Sequence, residues 1–460
     1  MRRSKQTPVQ DEPMNQPTDR PLRWAFFSHA YNYGDCSRAI EVALAMKATG
    51  TEVRFFHHGG TFVDKIAEAG LEPVPLRPFI TEAQNETLMA MDQHRAAIGT
   101  PLPYTDAELT AMVESELVAF REFQPDGVYC GLNLSCMISV PHAHLASISL
   151  VPTALCPGFF KEKLASFPDA MDTPVLRYLV PGWAKRQLIN RIMLGDLAKK
   201  SAVVFNQVRA RYGLPPIYNF PSLVRGELTL LPDLPELSGL GAACLPEGYS
   251  YSGPLFARLP LPIPEAAKRV FNHSGLKVYC AMGSSAPAEL FRNVVKILRS
   301  IRNVNLVCAT TSLVAPDELG PPSERFFATR FLPAHHVNEL ADIAVIHGGQ
   351  GTVQTAVWAG TPVVGVGMQW EQQANLDGLV RAGVGIRLPL YGVDEARIVS
   401  AMDAVNTDVC RARMLTLKNK VRACDGAQEA VRQMNAFVRS RGPHAPAAKL
   451  IAEALGGLSE

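Results

Sequence analysis

Long apolar runs are missing from this 460-residue chain. None reaches the roughly 18 consecutive residues that a membrane-spanning helix requires. The first ~20 residues are polar and proline-containing without an apolar core, which predicts a disordered tail over residues 1–21 and speaks against a secretory signal. An excess of charge is missing too: 45 Lys and Arg against 43 Asp and Glu leave a formal net charge of +2. No whole-chain attraction to nucleic acid or to an anionic membrane follows from that balance. The nine cysteines (Cys36, Cys130, Cys136, Cys156, Cys244, Cys280, Cys308, Cys410 and Cys424) show no paired short spacing of the zinc or redox type. They read as small buried apolar residues in a reducing compartment, so the expected location is the cytoplasm and no metal site is expected.

What is present suits two packed domains. The apolar fraction is 47% and the charged fraction 19%, which fits generous cores rather than disorder. Residues 24–28 read as a short buried strand, residues 37–47 as a helix closed by Gly50, and residues 52–56 as the next strand. Strand, helix and strand in that order predict a parallel α/β layer, continued by residues 126–130. A Pro-, Gly- and Leu-rich stretch follows, and we expect a linker over residues 221–264 between an N-terminal unit (22–220) and a C-terminal one (265–425). The C-terminal unit repeats the pattern with strands at 277–281, 304–308, 343–346 and 363–366. Residues 426–460 are expected to form terminal helices that pack back on the N-terminal unit.

Between the strand at 343–346 and a helical stretch at 352–359 lies a glycine-rich loop: His347, Gly348, Gly349, Gln350, Gly351 and Thr352. Glycines let a backbone approach a ligand, and a helix start offers free N–H groups and about half a positive charge. The pattern predicts an anion site in which His347, the Thr352 hydroxyl and backbone amides hold a pyrophosphate, while a tight turn with a core histidine gives the same pattern. Further on, Glu371 and Gln372 open a helix just past the strand at 363–366, the edge where ligands gather in α/β sheets. They suit sugar hydroxyls, and acidic and amide residues also suit a helix start for its own sake.

These residues, with Gly360, Pro362, Asn375 and the run Gly383, Val384 and Gly385, resemble the donor signature of nucleotide-sugar glycosyltransferases of the GT-B fold, which pairs two facing Rossmann-like domains with parallel sheets. The family is that of the UDP-glycosyltransferases, and the likeness runs toward its antibiotic and sterol branch. The resemblance implies donor contacts from Ser284 to the diphosphate, Phe331 to the nucleobase and the Leu332 backbone to the base edge, beside His347, Gly349, Gln350, Gly351, Thr352, Glu371 and Gln372. The sequence departs from the family pattern at Gly367 (often proline), Ala334 (often glutamine), Thr355 (a ribose-binding glutamate in plant members) and Tyr31 (glycine in the antibiotic branch).

The same resemblance places a catalytic position at Asp35, where many members carry histidine and the antibiotic branch carries Gly-Asp, as here. Inverting transfer needs a base for the acceptor hydroxyl, so Asp35 is the candidate, with His29 as a second candidate or relay partner. Asp35 also suits a helix N-cap and His29 a polar strand end. His57, His58, Gly59 and Gly60 read as a loop. Phe159, Phe160, Trp183 and Ile189, interleaved with Lys161, Lys163, Lys185, Arg186 and Arg191, suit an apolar acceptor cleft and contact with a membrane surface, and equally an ordinary amphipathic cover of the sheet. The expected function is metal-independent, inverting transfer from a UDP- or dTDP-sugar to a hydroxyl of a small molecule or lipid, with no cofactor. A sugar-nucleotide epimerase or hydrolase on the same fold, and a non-catalytic activator of a true transferase, remain as alternatives.

Overall fold

The computed structural model describes residues 20–92, 99–195, 198–258, 261–283 and 286–441. Two wholly parallel sheets dominate it. The first has seven strands: β1 (Arg23–Phe27), β2 (Glu52–His57), β3 (Pro73–Pro75), β4 (Gly127–Tyr129), β5 (Ala146–Leu150), β6 (Leu228–Leu231) and β7 (Tyr249–Tyr251). They run in the order β3-β2-β1-β4-β5-β6-β7. The second has six strands: β8 (Leu276–Ala281), β9 (Val304–Ala309), β10 (Phe326–Thr329), β11 (Ile343–Ile346), β12 (Val363–Val366) and β13 (Gly385–Leu388), in the order β10-β9-β8-β11-β12-β13. Each sheet reverses its strand order beside its first strand, the switch point where α/β sheets open a ligand crevice.

The strands are short, β-branched and aromatic, and several are buried along their whole length, as sheets covered on both faces require. One face of the first sheet packs through Phe27, Phe56 and Val128 onto helix residues Leu117 and Phe120. The other packs through Trp24, Phe26 and Tyr129 onto Ala39, Val42 and Met434. The second sheet has its own core, with Val278, Val307, Ile343 and Val364 at its centre.

Eight helices bear on the site: α1 (Tyr33–Ala48), α2 (Glu82–Asp92), α3 (Asp106–Phe123), α4 (Pro174–Leu179), α5 (Gly182–Leu194), α6 (Gln350–Ala359), α7 (Trp370–Arg381) and α8 (Gly426–Ser440). Local signals set their ends. Asn32 caps α1 by accepting from the Asp35 amide, Thr105 and Glu108 form a capping box on α3, and Gly360 ends α6 in the left-handed region at φ +87°.

The expected linker over 221–264 is corrected by the structure: that segment supplies β6 and β7, the last two strands of the first sheet. Strands of four and three residues set among prolines and glycines read as punctuation in the sequence, because neither is long enough to show alternation. The chain leaves the first sheet at Tyr251 and enters the second at Leu276. Of the tail over 1–21, residues 1–19 lie outside the described residues, and Arg20 pairs with Asp126 at 2.5 Å. Helix α8 returns to the N-terminal unit, where Asn435 Oδ1 accepts from Trp24 Nε1 at 3.0 Å. Residues 442–460 lie outside the described residues. Among the described residues no helix is long and apolar enough to cross a membrane.

Candidate functional site

The loops after β10, β11 and β12 meet the N-terminal unit through Phe331 with Lys65, Gln350 with Arg38, and Gln369 with Asp92, and these loops carry the candidate residues. At the end of β11, Gly348 adopts φ +84°, and a Cβ there would stand 2.6 Å from the Gln372 carbonyl oxygen. Only glycine allows α7 to close so tightly on this loop. Gly349 is the N-cap of α6. A Cβ on Gly351 would meet nothing within 4 Å, so no protein neighbour requires glycine there.

His347 is buried, and burial pushes its imidazole down to about 4 against the weaker influence of the Ala281 carbonyl. The ring is therefore neutral at pH 7, offering a hydrogen bond rather than a charge, and its Nδ1 has no partner. The Thr352 hydroxyl donates to the Gly349 carbonyl at 2.7 Å. Its proton is thus spent inside the turn, which leaves its backbone amide, at the first helical turn, as the donor it could offer to a ligand.

Glu371 sits over this helix start. Its carboxylate accepts from Asn375 Nδ2 at 2.6 Å and from the Gln350 amide. Burial raises its carboxyl pKa, opposed by Asn375, by the Arg38 charge and by that amide. Gln372 is turned inward: its Oε1 accepts from the amides of Met368 and Gln369 at 3.0 and 3.2 Å, closing a cap on α7. Gln369, which no motif singles out, instead reaches across to the N-terminal unit and donates through Nε2 to Asp92 Oδ2 at 2.5 Å. Phe331 presents a 42% exposed ring past β10, with Lys65 Nζ 5.6 Å from its centroid, while Leu332 is buried beneath it. Ser284 lies outside the described residues.

On the opposite wall, Asp35 is fully buried in the first turn of α1. It is not the N-cap, a role Asn32 takes. One oxygen, Oδ2, accepts from the His29 and Leu132 amides at 2.9 and 3.2 Å, joining the loops after β1 and β4. The other, Oδ1, has no partner. Gly131, at φ +53°, makes room for this, since a Cβ there would stand 2.6 Å from the Phe27 carbonyl. Burial raises the Asp35 pKa above the ordinary carboxylate range, opposed by the Arg38 charge and the two amides. The His29 imidazole contacts Asn85 Oδ1 at 3.1 Å through Nε2, so His29 bonds Asp35 through its backbone amide rather than its ring. Burial lowers the imidazole pKa, partly offset by Asn85 and Asp35.

Sequence reasoning missed three further groups. Arg38, one turn beyond Asp35, donates from Nη1 to Gln350 Oε1 at 2.9 Å, from one unit to the other. Asp233, just past β6, is buried with its carboxylate accepting from the Leu234 amide and the Thr153 hydroxyl, and burial together with Glu371 pushes it up to about 7. Asp92 reaches solvent at the cleft mouth, yet the protein crowded round it and the Glu371 carboxylate push it to about 7 as well. The only sequence signal was the three-residue spacing of Asp35 and Arg38, which puts both on one helix face. The aromatic segment divides: Phe159, Phe160 and Ile189 are buried, with Phe160 stacked on Trp370 at 5.0 Å, and Trp183 is 60% exposed. His58, Gly59 and Gly60 form the loop that follows β2, and within it His58 is buried against Glu116 at 3.1 Å. Among the described residues no group of three His, Cys, Asp or Glu is disposed to hold a metal ion.

Comparison with known proteins agrees with this geometry. Residues 321–437 match the erythromycin biosynthesis protein CIII-like C-terminal domain. A PGL/p-HBAD biosynthesis rhamnosyltransferase of Mycobacterium bovis (strain BCG / Pasteur 1173P2) is 27% identical over 301 residues, 65% of this chain and 64% of the relative. The match therefore spans just under two thirds of that relative's length. A PGL/p-HBAD biosynthesis glycosyltransferase of Mycobacterium tuberculosis (strain ATCC 25177 / H37Ra) is 24% identical over 85% of this chain and 86% of its own. Among solved structures, the glycotransferase of kitacinnamycin superposes with a TM-score of 0.65 at 19% identity, covering 91% of this chain and 99% of that one. Glycosyltransferase VinC in complex with dTDP gives 0.64 at 17% identity, covering 92% and 100%. These solved structures share the two parallel sheets of this chain, which therefore has the GT-B fold, and its C-terminal part is similar to the erythromycin biosynthesis protein CIII-like domain.

Proposed function

We propose that this protein moves a sugar from a UDP- or dTDP-sugar to a hydroxyl of an apolar small molecule or lipid, with inversion at the anomeric carbon. The observation that carries the reading is the opposition of Asp35, with its unpartnered Oδ1, to the helix start of α6, the two walls meeting through Arg38 and Gln350. In the reaction, Asp35 takes the proton of the acceptor hydroxyl while that oxygen bonds to the anomeric carbon. The bond from that carbon to the diphosphate breaks on the opposite face, and its electron pair leaves with the nucleoside diphosphate. The helix start stabilises the departing charge, so the reading calls for neither metal nor cofactor. VinC binding dTDP and the family signature support the donor class.

The acceptor end rests on a surface. Val175, Tyr178, Leu179 and Trp183 on α4 and α5 are 63%, 79%, 76% and 60% exposed, with exposed Arg186, Arg191, Lys199 and Lys200 nearby in sequence. Amphipathic aromatics beside basic residues fit an anionic lipid surface, from which an apolar acceptor would be drawn.

The deciding experiment is a thermal-shift screen of UDP, dTDP and their sugars, because a ligand that binds only the native state raises its apparent stability. No shift with any of them would overturn the donor reading. One observation favours a second reading, a sugar-nucleotide hydrolase or epimerase on this fold: Asp92 and Asp233 place two more carboxylates near Glu371. Sustained release of nucleoside diphosphate or an epimerised sugar nucleotide, formed with no acceptor present, would select it. Transfer that survives Asp35→Ala would instead point to a different base, and absence of any turnover despite donor binding to a non-catalytic partner.

A further inference from the structure

Two hydrogen-bond donors at the domain junction have no acceptor. Arg38 is 7% exposed and Gln350 is 4% exposed, and they are joined by one hydrogen bond, Arg38 Nη1 to Gln350 Oε1, at 2.9 Å. Arg38 Nε and Gln350 Nε2 are both buried without a partner. Native proteins seldom leave such groups unsatisfied, and where they do, a missing ion or ligand is among the first explanations. Gln350 opens α6 and Arg38 reaches it from α1, beside a first helical turn whose amides lack intrahelical acceptors.

We propose that Arg38, carried by α1 of the N-terminal unit, is a direct ligand of the donor diphosphate, closing on it from the side opposite the α6 helix start. The inference rests on the donor reading above and adds the residue that makes the diphosphate site a two-domain one. Charge supports it. The carboxylates of Asp35 and Glu371 both feel the Arg38 guanidinium as an opposing positive charge. A diphosphate entering that field meets about half a positive charge at the helix start. A guanidinium adds a full, permanent charge with a planar fork that matches phosphate oxygens. With the diphosphate bound, Arg38 Nε and Gln350 Nε2 acquire the acceptors they lack.

The test separates a diphosphate ligand from a mere counter-ion of Asp35 and Glu371. Affinities of the full-length protein for UDP and dTDP, and for UMP and dTMP, are measured by calorimetry in wild type, Arg38→Met and Arg38→Lys, with thermal unfolding to verify folding. Arg38→Met is expected to weaken the diphosphates by roughly tenfold or more and the monophosphates by less than about threefold. Arg38→Lys, which keeps the charge and is the safer variant for folding, should recover part of the loss, because an ammonium lacks the fork. Equal weakening of mono- and diphosphates, or unchanged UDP and dTDP affinity, overturns the proposal while leaving the donor reading intact. Wild-type protein that binds neither diphosphate overturns both.

Discussion

Asp35 can be tested separately from donor binding because its hydrogen bonds run to the His29 and Leu132 amides and not to the start of α6. Asp35→Asn keeps an acceptor oxygen for the His29 and Leu132 amides but cannot take a proton, so kcat should fall by about 100- to 10,000-fold with UDP or dTDP affinity nearly unchanged. Burial raises the Asp35 pKa, and the active form of a base is the deprotonated one. Activity should therefore rise with pH through a limb lying above the ordinary Asp value of about 3.9. His29→Gln should leave that limb in place, since the imidazole bonds Asn85 instead of Asp35. A limb that vanishes in His29→Gln would restore the relay.

Asp233 gives a second titration at the residue scale, read in stability. Its pKa is pushed from 3.8 up to about 7, so in that window the folded protein binds more protons than the unfolded chain. Stability should thus fall as pH rises from about 4 to about 7 and level off above, by up to about 1.4 kcal/mol per pH unit from this group. Asp233→Asn, which can still accept from the Leu234 amide, should flatten the curve of unfolding midpoint against pH. Parallel wild-type and variant curves would sink the assignment. Such groups show where the sequence stops being legible. His347 to Thr352 could be read because glycines and a helix start are local features. Arg38, Asp92, Gln369 and Asp233 could not, because their roles arise only when two distant segments meet, and the cap that Gln372 closes on its own helix shows only once the backbone is in place.

At the scale of elements, reading succeeded where strands and helices are punctuated by their own residues and failed where they are very short. β11, α6 and β12 show plainly as apolar strand, glycine loop and Gly-Pro stop, whereas β6 and β7, of four and three residues, vanish into a proline-rich stretch. The α4 and α5 pair divides in a way the sequence did not foretell: Ile189, Ile192 and Met193 face the core while Trp183 and its neighbours face out. That outward face predicts vesicle binding. The double variant Tyr178→Ser with Trp183→Ser, which leaves the buried face untouched, should lose roughly tenfold or more in partitioning onto vesicles containing anionic lipid, and wild-type binding should weaken with salt. Undiminished binding by the double variant would place the lipid contact elsewhere, and wild type that ignores such vesicles would remove it.

Across the whole molecule, the two units are held at several points, and one charged network among them can be weighed. Arg387, at the second sheet's edge, bonds Asp169 Oδ1 at 3.0 Å and Asp377 Oδ1 at 2.8 Å. Asp377 Oδ2 in turn accepts from the Ser166 hydroxyl at 2.5 Å, and Asp169 Oδ2 from the Leu390 amide at 2.9 Å. The loop carrying Ser166 and Asp169 belongs to the N-terminal unit, so this network clasps it onto the C-terminal one. With side chains only 19%, 7% and 16% exposed, removing the cation strands two carboxylates away from water. Arg387→Met should therefore cost about 3–5 kcal/mol, far beyond the 0–1 kcal/mol of an exposed ion pair. Neutralising the partners as well, with Asp169→Asn and Asp377→Asn, should return much of that loss, because the penalty lies in the unpaired charges more than in the missing attraction. Thermal or urea unfolding of the single and triple variants measures both. A single variant within about 0.5 kcal/mol of wild type would mean that the clasp is solvated like any surface pair and that the apolar seam of Trp370 against Phe159 and Phe160 holds the units together without it.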